Sequence, residues 1–432
     1  MKRALLIYTV LIAVSCSVNP DREAVRAYIR DAWDSTLRYN PTDTASLLGM
    51  PVPYTVPCTS GMFDELYYWD TFFTNEGLIA DGRPELAKNN TEDILSLVDR
   101  FGYMPNGNRT WYLSRSQPPF LALMVNSVYE ATEDEQWLSR AIPVIEKEYG
   151  FWMGERLAPC GLNRYSGSPS DELVEEFITT AGKRLGTDFR STGLSPEELD
   201  KFGRDCVAEC ESGWDFNPRF DRRCGDFCPV DLNSLLYRTE TLMAEFTAMT
   251  GDPGKTELWK SRAERRRALM QKLLFDPERD GYFDYDYVND TRSDVVSAAV
   301  FALLFCGAAD KAGAEKIKRT LDVLECPSGL SVTEDGNYPY VYQWAYPNAW
   351  PPTTYIAVMG LMDYGYRDDA LRIAEKYVDA QTECFRRTGQ LWEKIRATDG
   401  TMPEDREYTT PAMMGWTAGT YVVLDELLKN SK

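Results

Sequence analysis

The stretch DREAVRAYIRDAWDSTL, residues 21–37, carries the pattern that decides the fold. Apolar residues recur in it at spacings of three and four, which lines them up along one face of a helix. Asp21, behind Pro20, is the expected N-cap of this helix. The same periodicity predicts ten further helical segments, at 84–102, 118–132, 134–152, 231–251, 256–275, 294–308, 313–325, 352–365, 367–385 and 416–430.

The segments between these helices are rich in aromatic residues, Gly and Pro, and few of them resemble strands. A long series of paired helices with large loops at one end favours an all-α toroid, and no exact short repeat indicates a regular solenoid. Residues 169–177 and 195–202 add two amphipathic pieces, and no long flexible linker divides the chain. The loops are residues 51–61, 101–118, 160–170, 208–229, 327–352 and 396–415.

Bulk composition excludes several classes of function. The formal net charge is −20, whereas a nucleic-acid-binding protein needs a basic surface. The chain of 432 residues contains no histidine, so it cannot build a Ser-His-Asp triad or a zinc site with His ligands. General acid and base catalysis must therefore use Asp, Glu, Lys, Tyr or Cys. The sequence carries no signal for an oligomeric state.

The N-terminus has the form of a signal peptide. Lys2 and Arg3 precede an apolar run that is too short to cross a bilayer as a helix. The small residues before Cys16 predict a bacterial lipoprotein signal at 1–15, with Cys16 as the lipidated first mature residue. We expect a single domain at 16–432, in a periplasmic or outer-membrane lipoprotein that meets the membrane only through this anchor. An ordinary secretory signal is the alternative.

The remaining cysteines leave two interpretations open. The spacing of Cys206, Cys210, Cys224 and Cys228 fits a four-thiolate zinc site, while an exported protein favours disulfides. Nine is an odd number, so at least one thiol stays free or pairs between chains. The nine are Cys58, Cys160, Cys206, Cys210, Cys224, Cys228, Cys306, Cys326 and Cys384.

Asp215 is the first candidate for chemistry, because it stands between Trp214 and Phe216. Apolar neighbours penalise the charged form of a carboxyl and raise its pKa. Glu393 follows Trp392 far along the chain. Two such carboxyl groups fit cleavage of a glycosidic bond, which needs one protonated acid and one ionised partner. Packing of a stray charge in the core is the competing interpretation.

Other loops supply polar groups beside aromatic rings, which suits the polar edges and apolar faces of sugars. Residues 102–119 combine Asn106 and Arg115 with tyrosines and a tryptophan, and residues 338–355 offer Gln343. Residues 62–73 carry acids among aromatics, and an amphipathic helix with its acids facing outward would explain them equally well.

Taken in order, these motifs resemble the trehalase family of glycoside hydrolases (family 37). The resemblance spans residues 57 to about 428 and is carried by PCTSGMFDELYYWDTFF, PNGNRTWYLSRSQPPF, ESGWDFNPRF, PVDLNSLLY, QWAYPNAWPP, LWEKI and GWTAG. It implies an (α/α)6 barrel with functional loops at one end, and hydrolysis with inversion, without a metal or cofactor. Inversion requires the two catalytic carboxyl groups to lie about 6.5–9.5 Å apart.

The resemblance also implies roles for individual residues. Asp215 matches the general acid and Glu393 the general base that activates water. The positions that match the sugar pocket are Phe63, Trp69, Asp70, Asn106, Arg115, Glu172, Trp214, Gln343, Trp344 and Glu407.

The sequence departs from the family pattern at several pocket positions. Met62 and Ser170 stand where the family has arginines, and Ala345 and Ala349 replace an aspartate and a glycine. Neither Met nor Ser can imitate the bidentate hydrogen bonds of an arginine. Trehalose is therefore one expected substrate, and a related disaccharide or glucoside is the alternative.

Two further alternatives involve no catalysis. A sugar-binding lipoprotein would keep a pocket without turnover, and a structural lipoprotein would scatter the loops over its surface.

Overall fold

The structure, a computed structural model, describes residues 19–403, 409–412 and 415–431. Fifteen α-helices lie in these ranges. They are α1 (Pro20–Ala32), α2 (Tyr68–Ala80), α3 (Pro84–Phe101), α4 (Leu121–Thr132), α5 (Glu135–Glu155), α6 (Asp171–Leu185), α7 (Pro196–Glu211), α8 (Val230–Met249), α9 (Pro253–Leu273), α10 (Ala302–Phe305), α11 (Lys311–Lys318), α12 (Leu321–Leu324), α13 (Pro351–Asp363), α14 (Arg367–Thr388) and α15 (Gly415–Lys429).

Six of these helices form a closed inner ring. Following the chain, α2 packs against α4, α4 against α8, α8 against α10, α10 against α13 and α13 against α15, and α15 returns to α2. The helices α1, α3, α5, α9, α11 and α14 alternate with them along the chain and lie outside the ring. This arrangement confirms the predicted (α/α)6 barrel.

The inner and outer helices differ in burial, as their positions require. On α9, buried residues recur every three or four positions, at Thr256, Trp259, Ala263, Arg266 and Met270. On α2, every residue from Tyr68 to Asn75 is buried, because ring neighbours and outer helices cover it on all sides. Within the ring, five inner-helix regions line a cavity of about 20 Å³, room for a single water. The barrel is thus filled by side chains.

The contact between α2 and α15 that closes the ring depends on two glycines. A Cβ atom on Gly77 would lie 2.3 Å from the Cα of Gly419. A Cβ atom on Gly419 would lie 2.0 Å from the carbonyl oxygen of Phe73. No side chain fits at either position, so the two helix backbones touch directly.

Strands are only two residues long and pair the loops locally. They are β1 (Leu37–Arg38), β2 (Tyr54–Thr55), β3 (Phe227–Cys228), β4 (Phe275–Asp276), β5 (Gly281–Tyr282), β6 (Tyr285–Asp286), β7 (Thr291–Arg292), β8 (Glu325–Cys326), β9 (Gly329–Leu330), β10 (Asn348–Ala349) and β11 (Ile395–Arg396). The antiparallel pairs are β1–β2, β3–β6, β6–β7, β4–β5, β8–β9 and β10–β11. Short 3-10 helices lie at Trp33–Thr36, Thr110–Tyr112, Phe189–Ser191, Cys224–Asp226 and Ala298–Phe301.

Helices α6 and α7 form an extra pair between α5 and α8. They are the two amphipathic pieces predicted at 169–177 and 195–202. Val174 and Ile178 of α6 share an apolar cluster with Phe216 and with Tyr342 and Ala345 of a later loop. The pair therefore packs on the loops that carry the candidate site.

Three local predictions were wrong. Residues 68–73 begin the inner helix α2 rather than a loop, and Asp70 faces inward at 5% exposure. The N-cap of α1 is Asn19, whose side chain accepts from the backbone N–H of Asp21, while Pro20 is its first helical residue. Within 294–308, only a 3-10 turn and the single turn of α10 form, since Ser297 pairs with Thr333 instead.

Among the described residues, no helix is long and apolar enough to cross a membrane.

Candidate active site

Asp215 is presented by a sharp turn directly after α7. Gly213 takes a φ of +74°, and a Cβ there would lie 2.8 Å from the Trp69 ring. Phe216 also has a positive φ, +56°, an uncommon conformation for an aromatic residue. Asn217 fixes the turn, since its Nδ2 donates to the carbonyl of Trp214 at 2.7 Å. Both flanking aromatics are buried, which leaves the carboxyl group of Asp215 as the projecting side chain.

Trp214, which directly precedes Asp215, belongs to a tryptophan cluster. The other members of this cluster are Trp69, Trp344, Trp350 and Trp416. The Trp214 ring stacks on Trp344 at 5.2 Å, and Trp344 stacks on Trp350 at 3.8 Å. Trp69 and Trp416 meet these rings edge-on or tilted. The cluster contains rings from α2, from the turn that carries Asp215, from the 338–350 loop and from α15. Loops that are distant in sequence therefore converge on one place.

The environment of Asp215 raises the pKa of its carboxyl group. Burial is the largest cause, and the negative charge of Glu393 adds to it. The cations of Arg184 and Arg115 and a hydrogen bond with Cys210 oppose the increase. The side chain nevertheless keeps 35% of its exposure, so a ligand can reach a carboxyl group that protein atoms otherwise surround.

Glu393 lies in the loop between α14 and α15 and is 2% exposed. Its backbone carbonyl accepts hydrogen bonds from Trp416 Nε1 at 3.1 Å and Thr417 Oγ1 at 3.4 Å. Its carboxylate Oε2 lies 2.6 Å from the Lys394 ammonium, which in turn lies over the Trp350 ring at 4.6 Å. The first turn of α15 and the β10–β11 pair thereby fix where Glu393 points.

Asp70 is the third carboxyl group of the site. It lies in the first turn of α2, and burial raises its pKa to about 8, with Glu393 and Asp215 contributing by repulsion. The charges of all three carboxyl groups therefore act on one another within one site.

The 102–119 loop brings Arg115 beside the acid. Glu211, which is fully buried at the end of α7, accepts from the backbone N–H of Ser116 at 2.9 Å and from Arg156 at 2.8 Å. Glu211 therefore connects the 102–119 loop to the turn that carries Asp215. The Arg115 guanidinium lies over the rings of Tyr112 and Phe177, and its buried Nε has no hydrogen-bond partner among the described residues.

Neighbouring polar residues support this loop. Gln117 Oε1 accepts from the backbone N–H of Trp69 at 3.2 Å. Asn106 is buried, and its backbone N–H donates to the carbonyl of Arg115 at 3.0 Å.

Arg184 is a component of the site that sequence reasoning missed. It lies near the end of α6, and its Nη1 is 3.9 Å from Asp215 Oδ2. Its guanidinium also lies over the Phe216 ring at 4.8 Å. No motif marks it, because the packing of α6, which lies outside the twelve helices of the barrel, decides which of its residues meets the acid. Lys394 was missed as well, although it directly follows Glu393.

The other predicted pocket residues differ in their burial and in the groups they contact. Gln343 Nε2 donates to the backbone carbonyl of Asp215 at 3.4 Å. Phe63 is half-buried at a φ of +57° and meets Tyr67 edge-on. Glu172 is exposed in the first turn of α6, hydrogen-bonded with Ser170. Glu407 lies outside the described residues.

The structure also places the positions at which the sequence analysis expects departures from the family pattern. Ser170 is the N-cap of α6, accepting from the Leu173 N–H at 3.3 Å. Met62 is 42% exposed. Ala345 is buried in the apolar cluster beneath α6, where a carboxylate would be left without solvent.

The cysteine pattern does not form a metal centre in the described part of the chain. No group of three or more Cys, Asp or Glu side chains there converges closely enough to hold a metal ion. Cys206 and Cys210 are buried on α7, and Cys224 and Cys228 are buried in the following loop and strand.

Comparison with known proteins agrees with this geometry. A family model described as Trehalase matches residues 15–429. Neutral trehalase Nth1 from Saccharomyces cerevisiae superposes with a TM-score of 0.80 at 24% identity, covering 94% of each chain. A GH63 mannosylglycerate hydrolase from Thermus thermophilus superposes with a TM-score of 0.62 at 17% identity, covering 93% of this chain and 99% of that one. A GH78 family rhamnosidase from a Bacillus species gives a TM-score of 0.60 at 14% identity, covering 95% of this chain and 35% of that one.

Proposed function

The chain belongs to the trehalase family of glycoside hydrolases, and from this premise we propose that it hydrolyses trehalose or a related α-glucoside with inversion at the anomeric carbon. One observation carries the proposal. The carboxyl groups of Asp215 and Glu393 interact electrostatically beside a cluster of buried tryptophans, and Asp215, whose pKa is raised, keeps 35% of its side-chain exposure.

In the proposed reaction, Asp215 is the general acid. It donates its proton to the glycosidic oxygen as the bond to the anomeric carbon breaks, which avoids an alkoxide leaving group. Its raised pKa favours the protonated form that a general acid needs, compared with a carboxyl group in water.

Glu393 is the general base on the opposite side of the sugar. It removes a proton from a water molecule that attacks the anomeric carbon from the face away from the leaving group, which inverts the configuration. The ion pair with Lys394 orients the carboxylate for this task. Trp69 packs on Trp344, which stacks on Trp214, and these buried rings hold the turn that carries the acid in place.

The test of this assignment is a turnover assay with product analysis. Purified protein is incubated with trehalose and a panel of α-linked disaccharides, and NMR follows the first-formed anomer. With trehalose, inversion releases α- and β-glucose in equal amounts, because the leaving glucose keeps its α configuration while the attacked carbon is inverted. First-formed α-glucose alone would show retention and reject the proposal. Asp215→Asn and Glu393→Gln should each abolish most turnover.

The identity of the second sugar unit depends on the altered pocket positions. Met62 and Ser170 remove two arginines that the family uses, and each lost charged hydrogen bond costs about 1.5–3 kcal/mol. Arg184 offsets part of this loss, because it brings a guanidinium to the acid from another point of the fold. A related disaccharide or glucoside is therefore the second candidate, and the panel also includes a mannoside with an acidic second unit, mannosylglycerate.

A sugar-binding protein without turnover is the outcome if binding is measured by calorimetry but no glycoside of the panel is cleaved.

We further propose that residues 1–15 are removed and that Cys16 is lipidated, which would anchor the protein to a bacterial membrane facing the periplasm. The motif before Cys16 supports this. Mass spectrometry of the protein from its native membrane tests it: a diacylglyceryl adduct on Cys16 is expected, and an unmodified mature N-terminus rejects it.

A further inference from the structure

The thiols of Cys160 and Cys228 lie against each other, and the proposed reaction uses neither of them. The segment of chain between the two residues carries Asp215. The Sγ atoms of Cys160 and Cys228 are 3.5 Å apart. Cys160 lies in the turn after α5 and is half-buried, whereas Cys228 ends strand β3 and is buried. The two positions are 68 residues apart in sequence.

The backbones that carry these thiols are already held together. The N–H of Asn163 donates to Asn233 Oδ1 at 2.9 Å, and Asn233 Nδ2 donates back to the carbonyl of Asn163 at 2.9 Å. Asn233 Nδ2 also reaches the carbonyl of Pro229, next to Cys228, at 2.9 Å. Arg266 binds both asparagine side chains from α9.

This frame keeps the sulfur atoms adjacent without a covalent bond. Joining them requires side-chain rotation and an approach of roughly 1.5 Å to reach the usual S–S length, with little backbone movement.

We propose that Cys160 and Cys228 form a disulfide bond that closes the excursion between α5 and α8 into a covalent loop. The enclosed segment contains α6, α7, Arg184 and the catalytic candidate Asp215. This pairing differs from both groupings that the cysteine spacing suggested, because the partner of Cys228 is Cys160 and not a cysteine of the 206–224 series.

The bond forms by thiol–disulfide exchange with an external disulfide as oxidant. The Cys160 thiolate attacks one sulfur of that disulfide, a mixed disulfide forms, and one external thiolate leaves. The Cys228 thiol then loses its proton and its sulfur attacks the Cys160 sulfur, which releases the second external thiol. Two protein thiols are oxidised and one external disulfide is reduced to two thiols.

Two properties suit Cys160 to the first attack. It is half-buried, so a small disulfide can reach it, while Cys228 is enclosed. The hydrogen bond with Cys228 also lowers the pKa of Cys160, so more of it is thiolate in neutral solution.

The test uses the purified full chain with oxidised glutathione as the oxidant. After alkylation of the remaining thiols, non-reducing digestion and mass spectrometry should yield one peptide pair that joins Cys160 to Cys228. This pair should be absent from Cys160→Ser and Cys228→Ser. It should persist in Cys326→Ser, which removes another half-buried thiol. Alkylation of both thiols, a lasting glutathione adduct on Cys160, or pairing with another cysteine would each overturn the proposal.

A thermal measurement tests the stabilising effect separately. Reduction by dithiothreitol should lower the Tm of the wild type and of Cys326→Ser by roughly 4 °C, because a long unfolded loop is released. It should leave the Tm of Cys228→Ser unchanged. An equal response of all three proteins would show that the bond does not constrain this loop. Neither readout depends on turnover, so failure here is distinct from failure of the proposed hydrolase activity.

Discussion

The guanidinium of Arg184 and the carboxyl group of Asp215 face each other, with Nη1 3.9 Å from Oδ2. Arg184 lies near the C-terminal end of α6, and Ser170 caps the N-terminus of the same helix. The contact with Asp215 therefore depends on how α6 packs against the loop that carries Phe216.

Replacing Arg184 should change both substrate affinity and pH dependence. Arg184→Ala should raise KM by about 10- to 100-fold, because in the proposed function this guanidinium also binds the substrate, and a lost charged hydrogen bond costs about 1.5–3 kcal/mol. Because Arg184 lowers the pKa of Asp215, its removal should also let the acid stay protonated to higher pH. The alkaline limb of the kcat/KM profile should therefore move upward in pH. Arg190→Ala, which removes an exposed cation between α6 and α7, is the control. An unchanged profile for Arg184→Ala would contradict the contact.

Replacing the carboxyl group of Asp215 by an amide should abolish most turnover without unfolding the protein. Asp215→Asn should lower kcat by about 10²- to 10⁴-fold, the contribution of a positioned general acid. Its Tm should remain near that of the wild type, since the side chain projects into an open site. Asp64→Asn, at an exposed carboxylate paired with Arg38, is the matched control and should keep full activity. A decrease of less than tenfold for Asp215→Asn would remove this residue from the mechanism.

Asp70 should make the protein less stable as the pH rises. Burial raises its pKa from 3.8 to about 8 in the folded chain, so the folded state holds a proton that the unfolded state releases. The contribution of this group to the free energy of unfolding is full below about pH 4 and is lost progressively up to about pH 8. Asp70→Asn should flatten this part of the stability profile. Urea denaturation of both proteins at several values of pH measures the difference, and parallel profiles would contradict the shift.

Closure of the ring should fail when a methyl group is added between α2 and α15. Gly419→Ala places a Cβ 2.0 Å from the Phe73 carbonyl oxygen, which forces the two helices apart. We expect a loss of about 3 kcal/mol or more in the free energy of unfolding. Gly150→Ala on the outer helix α5 meets no atom within 4 Å and should be neutral or stabilise by up to about 1 kcal/mol. Equal denaturation midpoints for the two variants would contradict the close approach.

Most helices of the barrel could be predicted from the sequence. The helix α2 could not, and there is a physical reason for the difference. Outer helices such as α14 carry an apolar stripe on one face, with Ile373, Ala374, Tyr377 and Val378 buried, so their periodicity is readable. The helix α2 is buried on all sides and therefore lacks a stripe, which is why the sequence left residues 62–73 open between a loop and an amphipathic helix with its acids facing outward.

The sequence by itself determined which chemistry is available. The absence of histidine leaves Asp, Glu, Lys, Tyr and Cys as possible acids and bases, and the aromatic neighbours of Asp215 predict that its pKa is raised, as the structure shows. These are local properties, set by residue type and immediate neighbours.

Only the tertiary structure decided which distant residues meet. Arg184 reaches Asp215, and Cys160 lies against Cys228, because helix packing and an asparagine network bring them together. Neither pairing leaves a signal in local periodicity, because each depends on how whole elements pack across the fold and not on the residues beside them.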